Sequence, residues 1–415
     1  MVGKGSTTEC LSLDAISGLV YEGLPRLIKG KNKILTIIPD LSRSAPIPQI
    51  FPIINQIAYS QNCQIDYLIA LGTHPALKET EISRLVGLSF NELIEKYPRT
   101  RILNHDWKNS SQLTQLGTIP KEDTKQLTEG LLEIEIPVIV NRLVNEYDLI
   151  LICGPVFPHE VAGFSGGEKY LFPGISGEEI INITHWTGAL ATSLATIGNM
   201  DTPVRRIITR AANFIQTDIA GMAFCMRGKE VHGLYLGGLH ETWVEAVKLS
   251  ERLNIVYVPD KVQTVLSVPS KMYTELWTAA KAMYKMEPIV ADGGEVIIYA
   301  PELKEISITH GELIQQVGYH VVDFFKDNWE KYNKIPWAVL AHSTHLKGMG
   351  KFVNGQENPR INVRLATGIP ESICRQINLD YVNPHEISVG DWKSDMHAER
   401  LLVRDAGENL YRQKE

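Results

Sequence analysis

The chain has 415 residues, of which 44% are hydrophobic and 21% charged, close to the averages for folded globular proteins. This composition excludes a mainly disordered chain or a coiled coil, and at about 100–200 residues per domain it indicates two or three domains. Its 41 Lys and Arg residues against 48 Asp and Glu residues give a formal net charge of −7, which argues against a nucleic-acid partner.

Short apolar runs alternate with helical patterns along the first part of the chain. The predicted strands are 34–38, 65–71, 148–153 and 255–258, and the predicted helices include 47–60, 202–215 and 240–254. Uninterrupted apolar strands separated by helices are typical of a mostly parallel sheet that is covered on both faces. The sequence therefore predicts the α/β fold class.

A second α/β region begins near residue 262. It contains a predicted strand at 262–268, a helix at 273–290, a strand at 295–300 after a Gly293-Gly294 turn, and a strand at 337–341. We therefore predict two α/β domains, 1–259 and 260–395. The polar tail, 396–415, is expected to pack back on the body of the protein.

The cysteines and the apolar runs indicate where in the cell the protein is expected to work. The five cysteines are scattered and form no Cys-x-x-Cys pair, which argues against a disulfide framework or a zinc ribbon. The N-terminal residues lack the apolar core of a signal peptide. The longest apolar runs, about six to eight residues, are well short of the ~20 needed to span a bilayer. We expect a cytoplasmic protein with no membrane partner.

Polar side chains follow the first three predicted strands, where parallel sheets bind their ligands. Asp40 and Arg43 follow the first strand, His74 follows the second, and His159 follows the third. We expect these side chains to converge at one edge of the sheet. Each residue taken singly also has a simpler explanation. Asp40 is equally explained as a residue that caps a turn or helix, and Arg43 as its ion-pair partner on the surface. Each histidine is equally explained as a residue with a structural role.

A glycine-rich segment follows the third of these strands. The run GFSGG at 163–167 has the letters of a nucleophile elbow, but the strand ends about ten residues too early for that turn. The segment is not a P-loop, because Glu168 separates Gly167 from Lys169. It predicts a flexible loop whose backbone approaches a ligand closely, or alternatively a tight turn with a solvated lysine.

Three further patterns carry candidate residues. Ser176-x-x-Glu179 has the spacing of a capping box and opens a helix that carries His185. Trp277 and Lys281 share a helix face, as they also do in an ordinary amphipathic helix with a snorkelling lysine. His342 and His345, after the predicted strand 337–341, are potential metal ligands, but two imidazoles without a third partner are a weak signal.

Together these motifs resemble the nickel-dependent lactate racemase family. The motifs that carry the resemblance match in order and spacing across residues 35–300: Asp40-x-Ser42-Arg43, Gly72-Thr73-His74, His159, GFSGG-x-Lys169, His185 and Trp277-Thr278-x-x-Lys281. The resemblance implies a two-domain α/β enzyme with its active site in the interdomain cleft. It further implies an isomerase, a racemase or epimerase of a 2-hydroxy acid, with a small hydroxy acid as its substrate.

The resemblance also implies a cofactor and residue roles. The cofactor is a nickel pincer nucleotide, the Ni-bound pyridinium-3,5-bisthiocarboxylic acid mononucleotide, attached through Lys169 and supplied by cofactor-biosynthesis enzymes. His185 matches the nickel ligand, and His74 and His159 match an alternating acid and base. Hydride removal and return needs one base for each enantiomer, which explains two histidines. The other matching positions are Asp40, Ser165, Gly166 and Gly167 on the cofactor side, and Arg43, Lys281, Trp277 and Thr278 on the substrate side.

Two adjacent positions depart from the family pattern, which has Tyr-Gln in place of Trp277-Thr278. Threonine is shorter than glutamine and leaves room for a larger substituent, so the substrate ranges from lactate-like acids to sugar acids. Two alternatives stay open. One is a non-catalytic protein of the same fold that binds a nucleotide or an organic anion. The other is a zinc hydrolase that uses His342 and His345.

Overall fold

The computed structural model describes residues 1–397 and 399–414. They divide into two compact units. Unit 1 consists of Met1–Phe157, Phe164–Ile181 and Arg205–Leu253, and unit 2 of Pro158–Gly163, Asn182–Val204 and the chain from Asn254 onward. Three segments that the sequence assigns to the first domain therefore lie in unit 2: residues 254–259 and the two internal segments, which carry His159 and His185.

Strands and helices alternate through the chain as far as residue 254. The strands are β1 (Val2–Gly5), β2 (Lys33–Pro39), β3 (Gln64–Ala70), β4 (Ile102–Asn104), β5 (Leu113–Ile119), β6 (Ile136–Asn141), β7 (Leu149–Pro155), β8 (Pro158–His159), β9 (Gly163–Phe164), β10 (Asp218–Arg227) and β11 (Glu230–Gly238). The helices are α1 (Leu13–Leu27), α2 (Ile47–Ser60), α3 (Glu79–Val86), α4 (Phe90–Lys96), α5 (Lys121–Leu127), α6 (Glu178–Ala191), α7 (Ser193–Thr196), α8 (Pro203–Ala212) and α9 (Leu239–Asn254).

The remainder of the chain has shorter helices. The strands are β12 (Ile255–Val258), β13 (Val262–Pro269), β14 (Val290–Ala300), β15 (Gly350–Val353), β16 (Gln356–Pro359), β17 (Asn362–Thr367), β18 (Asp380–Tyr381), β19 (Arg400–Ala406) and β20 (Leu410–Gln413). The helices are α10 (Leu276–Ala279), α11 (Lys281–Tyr284), α12 (Gly311–Val317), α13 (Val322–Asp327), α14 (Trp329–Tyr332), α15 (Trp337–Lys347) and α16 (Glu371–Gln376). Within the described residues, none of the helices has both the length and the apolar character needed to cross a bilayer.

Unit 1 is built on a seven-stranded sheet with the order β1-β11-β10-β7-β2-β3-β4. Strands β10, β7, β2, β3 and β4 pair in parallel, and β11 and β1 are antiparallel at one edge. α2 packs on this sheet through Ile50, Ile54 and Ile57, whose spacing places them on one helix face. The α/β class and the mostly parallel sheet are confirmed.

Unit 2 contains a five-stranded parallel sheet with the order β18-β17-β14-β13-β19. Leu266, Ile297, Ala366 and Leu402, one from each of four neighbouring strands, form a buried cluster on it. β19 and β20 come from the polar tail: β19 joins the sheet beside β13, and β20 pairs with β12. The tail is therefore part of unit 2.

Three sequence-based predictions for unit 2 are wrong. Residues 337–341 are not a strand but the start of α15, which is buried nearly throughout. The predicted helix at 273–290 is broken into α10, α11 and a short 3-10 turn. Gly293 and Gly294 lie inside β14 rather than before it, at a bulge where the pairing with β13 changes register.

Candidate functional site

The loops after β2 and β3 bring Asp40 and His74 together. β2 and β3 are parallel neighbours with Pro39 opposite Ala70, so the residues that follow them leave the sheet side by side. Asp40 Oδ2 lies 2.5 Å from His74 Nδ1, and Asp40 Oδ1 accepts hydrogen bonds from the Ser42 hydroxyl and backbone N–H. The predicted convergence of these two residues is present in unit 1.

Asp40 is buried but stays ionised. Burial raises the pKa of its carboxyl group, but the charge and hydrogen bond of His74, the hydrogen bond of Ser42 and the charge of Arg43 together lower it well below its usual value. Because a carboxylate only accepts hydrogen bonds, His74 Nδ1 must carry a proton. In the neutral imidazole this leaves the lone pair on Nε2, which makes His74 a base.

Arg43 lies on the same side of unit 1. Its guanidinium is 5.2 Å from the Phe157 ring, and it is half-buried. The charges of Arg43 and Asp40 both act on the buried phenol of Tyr170, whose pKa burial raises. Tyr170 directly follows Lys169, so the lysine-bearing turn lies beside the Asp40 loop.

The glycine loop is anchored to the sheet by its serine and does not form a nucleophile elbow. Ser165 Oγ donates a hydrogen bond to the Pro155 carbonyl and accepts one from the Phe157 N–H, so the hydroxyl holds the loop to the end of β7. Gly166 and Gly167 have φ values of 77° and 59°, which favour glycine. They lead into a 3-10 turn, Gly167–Tyr170, that carries the half-buried Lys169.

A buried ion pair beneath this loop was not predicted. Arg205 on α8 lies 3.6 Å from Glu168, and both side chains are less than a tenth exposed. Arg205 also donates hydrogen bonds to the carbonyls of Phe164 and Gly166, and it stacks over Trp243 at 4.3 Å. Burial lowers the pKa of Arg205 to about 10 against the opposing charge of Glu168. This arrangement fixes the backbone on both sides of Ser165.

In unit 2, His159 is buried and has the opposite proton arrangement to His74. The backbone N–H of Val161 donates to His159 Nδ1 at 3.1 Å, which places the proton of the neutral ring on Nε2. Glu160 Oε2 lies 3.5 Å from the same nitrogen. Burial raises the pKa of Glu160, but Lys281 and the protonated form of His159 lower it well below its usual value, so Glu160 is ionised.

His185 lies on α6, as predicted. It is half-buried, and the neighbouring Trp186 anchors this part of the helix by stacking on Trp329 at 5.2 Å. The charge of His185 lowers the pKa values of both His342 and His345, which places His185 beside these two residues.

Trp277, Thr278 and Lys281 occupy the broken helix of unit 2. The Trp277 ring is 3.8 Å from the His342 ring and 4.8 Å from the His310 ring, centroid to centroid. The Thr278 hydroxyl donates to the Glu275 carbonyl at 3.1 Å. Lys281 is buried, with its ammonium 4.9 Å from the Tyr273 ring. Trp277 and Lys281 therefore lie on short helical turns, not on the long amphipathic helix expected.

His342 and His345 are on α15 rather than after a strand. They are three residues apart, share one helix face, and are both buried. Burial lowers the pKa of His345 to about 4, and burial together with His345 and His310 lowers the pKa of His342 well below its usual value. Among the described residues, no three His, Cys, Asp or Glu side chains are arranged to hold a metal ion. Within the part of the chain that the structure describes, His342 and His345 therefore have no third ligand for zinc.

The sequence of the chain is similar to that of known lactate racemases. Residues 15–198 match the family model for the lactate racemase N-terminal domain. The chain is 26% identical over 286 residues to the lactate racemase of Thermoanaerobacterium thermosaccharolyticum, and 25% identical over 284 residues to that of Lactiplantibacillus plantarum. Each match covers 67% of this chain but only 62% of the relative, which is less than two thirds of its length.

Two solved structures share the fold. A Thermotoga maritima protein that is 30% identical aligns with a TM-score of 0.87, covering 99% of this chain and 100% of its own. The lactate racemase apoprotein of T. thermosaccharolyticum aligns with a TM-score of 0.73 at 18% identity, covering 99% of this chain and 94% of its own. The second likeness concerns the fold alone.

Proposed function

Because the chain belongs to the lactate racemase family, we propose that it racemises or epimerises a 2-hydroxy acid by moving the C2 hydrogen as hydride. The observation that carries the proposal is the hydrogen bond between Asp40 and His74 in unit 1, with the cationic Arg43 beside it. Such a pair holds an imidazole in one tautomer and stabilises its protonated form, as a general base requires.

His74 and His159 serve as the two acid/base groups. When C2 loses hydride, the hydroxyl of the substrate must lose its proton, and the reverse step needs that proton back. His74 presents the lone pair of Nε2 and accepts the proton of the hydroxyl, whereas His159, once protonated beside the Glu160 carboxylate, returns a proton to the oxygen. A neutral imidazole acts as the base and an imidazolium as the acid, so the two histidines exchange these forms when the direction of the reaction is reversed.

Two cations bind the substrate, one at its carboxylate and one at the oxygen on C2. Arg43 offers a planar guanidinium that binds a carboxylate through two parallel hydrogen bonds. Lys281 adds a charge that stabilises the oxygen on C2 as it becomes negative. Trp277 and Thr278, on the same turn as Lys281, face the substituent of the substrate; the Thr278 hydroxyl is already bonded to its own backbone.

The residues present fit a nickel pincer nucleotide. Lys169 follows two glycines on a backbone that Arg205 fixes, which suits a covalent attachment, with Asp40, Ser165, Gly166 and Gly167 around it. His185 would ligate the nickel. When bound, this cofactor supplies an electrophile that accepts a hydride and returns it.

The attachment at Lys169 is tested by mass spectrometry. The protein is produced in cells that also make the cofactor-biosynthesis enzymes, which we propose as its partners, and the peptide that contains Lys169 is analysed together with the nickel content. We expect a mass increase on that peptide and bound nickel, both of which disappear in Lys169→Arg but not in the control Lys4→Arg. An unmodified Lys169 peptide in a protein without nickel would contradict the proposed attachment of the cofactor.

We also propose that the protein works in the cytoplasm. All five cysteines lie in the described part of the chain, and each has a free thiol; four of the five are buried. Free thiols are maintained in reducing compartments.

A further inference from the structure

Trp277 and two histidines that have no role in the proposed mechanism, His310 and His342, form a cluster of three rings in unit 2. Trp277, on α10, lies between His310, which precedes α12, and His342, on α15, at the distances given above. Trp277 is half-buried, so the cluster reaches from the interior of unit 2 to an accessible surface. The cluster adjoins the turn that carries Thr278 and Lys281.

Among the described residues, two buried imidazole nitrogens of α15 lack hydrogen-bond partners: one belongs to His342 in this cluster, and the other to His345, one helical turn away. His342 is 7% exposed and His345 is 4% exposed, and among the described residues the Nε2 atom of neither has a partner. A buried polar atom without a hydrogen bond is unfavourable, and such atoms are usually satisfied by a ligand or by water. The pair therefore indicates a polar ligand group beside Trp277.

The charges nearby favour a neutral ligand group. Glu160 is ionised, and its carboxylate interacts with both His345 and Lys281. A second carboxylate on the substrate would meet this negative charge at close range. A hydroxyl is neutral, and it both donates and accepts hydrogen bonds, so it satisfies an imidazole nitrogen in either tautomer.

We propose that His342, supported by His345, is a specificity residue that hydrogen-bonds a hydroxyl carried by the substrate beyond C2. The substrates are then 2-hydroxy acids with at least one further hydroxyl, as in sugar acids, rather than lactate. This inference rests on the proposed function and names its substrate class. An apolar substituent at the same place would leave both nitrogens without partners.

Matched substrates test this inference with enzyme produced alongside the cofactor-biosynthesis enzymes. Glycerate and 2-hydroxybutyrate differ by a hydroxyl in place of a methyl group, and D-gluconate and 2-hydroxyhexanoate extend the comparison to six carbons. Inversion at C2 is followed by chiral chromatography. We expect kcat/KM to be at least about tenfold higher for the hydroxylated member of one pair, as one additional hydrogen bond allows.

Variants of His342 connect that preference to the residue. In His342→Phe the packing on Trp277 is kept and the nitrogens are lost, so the hydroxylated-to-apolar ratio of kcat/KM should fall by about tenfold or more. His342→Gln should recover part of the ratio, and the exposed control His385→Phe should leave it unchanged. If His342→Phe does not fold, the test compares the hydroxylated-to-apolar ratio of kcat/KM in the wild type with that in His342→Gln.

Two different results would overturn the inference, and they are distinguishable. If the loaded enzyme inverts 2-hydroxy acids but shows no preference for the hydroxylated members, or keeps its preference in His342→Phe, His342 is not the specificity residue. If the loaded enzyme inverts none of the acids, the proposed function itself is wrong.

Discussion

The Asp40 carboxylate and the His74 imidazole are joined by a 2.5 Å contact between Oδ2 and Nδ1, across two loops that leave neighbouring parallel strands. The two residues are separated by 34 positions in the sequence, yet the register of β2 against β3 brings them together. This one contact determines which nitrogen of His74 is available to the substrate.

Asp40→Asn should reduce activity strongly. The amide removes the negative charge that stabilises protonated His74, so we expect kcat/KM to fall by about 100- to 10,000-fold, the range of a lost general acid–base group. The control is Asp14→Asn, an exposed carboxylate on α1. Chiral assays of both variants check this, and a loss of less than threefold in Asp40→Asn would remove the pair from the mechanism.

Arg205→Met should destabilise unit 1 and loosen the glycine loop. Removing one partner of a buried ion pair leaves Glu168 buried with only the exposed His240 nearby among the described residues, at 3.7 Å, and such a loss costs about 3–5 kcal/mol. The neighbouring Arg206 pairs with the exposed Glu129, so Arg206→Met should cost no more than about 1 kcal/mol. Urea unfolding measures both, and hydrogen exchange should accelerate at 166–170 only in Arg205→Met. Equal losses in the two variants would show that the buried pair has no special role.

Gly166→Ala should destabilise the same loop for a steric reason. A Cβ at this position would meet Val156 Cγ2 at 2.5 Å, and φ is 77°, so the variant should lose about 1–3 kcal/mol. Gly18 lies on an exposed face of α1 with open space around it, so Gly18→Ala should gain about 0.5–1 kcal/mol. Opposite signs in thermal unfolding are the expected result, and a neutral Gly166→Ala would contradict the close packing.

His345 should make stability depend on pH. The pKa of His345 is about 4 in the folded chain, below the ~6.5 of an unfolded histidine. The unfolded state therefore binds more protons between these values, and stability is complete above pH 6.5 and decreases as the pH falls towards 4. Between pH 7 and pH 5 the loss from this residue is about 2 kcal/mol.

Substitution of His345 isolates that contribution. His345→Gln should lose less stability than the wild type between pH 7 and pH 5 in urea unfolding, because glutamine does not titrate. The exposed control His385→Gln should behave like the wild type. Parallel pH curves for His345→Gln and the wild type would mean that His345 is not buried in its neutral form.

The first half of the fold follows from the sequence because its signals are local. β2, α2 and β3 appear within one residue of their predicted bounds, since each apolar run ends at a polar turn and α2 has an apolar stripe. The polar residues after these strands then follow from the parallel topology. Asp40 and His74 were therefore predictable as neighbours.

The errors have physical causes. α15 is buried on nearly all sides, so its first five residues form an apolar run that the sequence does not distinguish from a strand. Gly293 and Gly294 look like a turn, but they form a bulge within β14, where a positive φ is also needed. Both errors depend on tertiary neighbours.

The missed site residues depend on packing between distant segments. Glu168 and Arg205 are 37 positions apart, and nothing in the sequence separates Arg205 from Arg206 on the same helix. The Nδ1 contact of His159 comes from its own backbone two residues later, and it does not depend on residue type. Such contacts become visible only once the chain is folded.

Inversion at C2 by hydride return predicts a specific isotope pattern in D₂O. Enantiopure 2-hydroxy acids are incubated in D₂O with protein produced alongside the cofactor-biosynthesis enzymes, and the products are examined by chiral chromatography and mass spectrometry. We expect the opposite configuration at C2 with protium retained there, because the histidines exchange only the hydroxyl proton. Deuterium at C2, or no inversion of any acid, would contradict the claim.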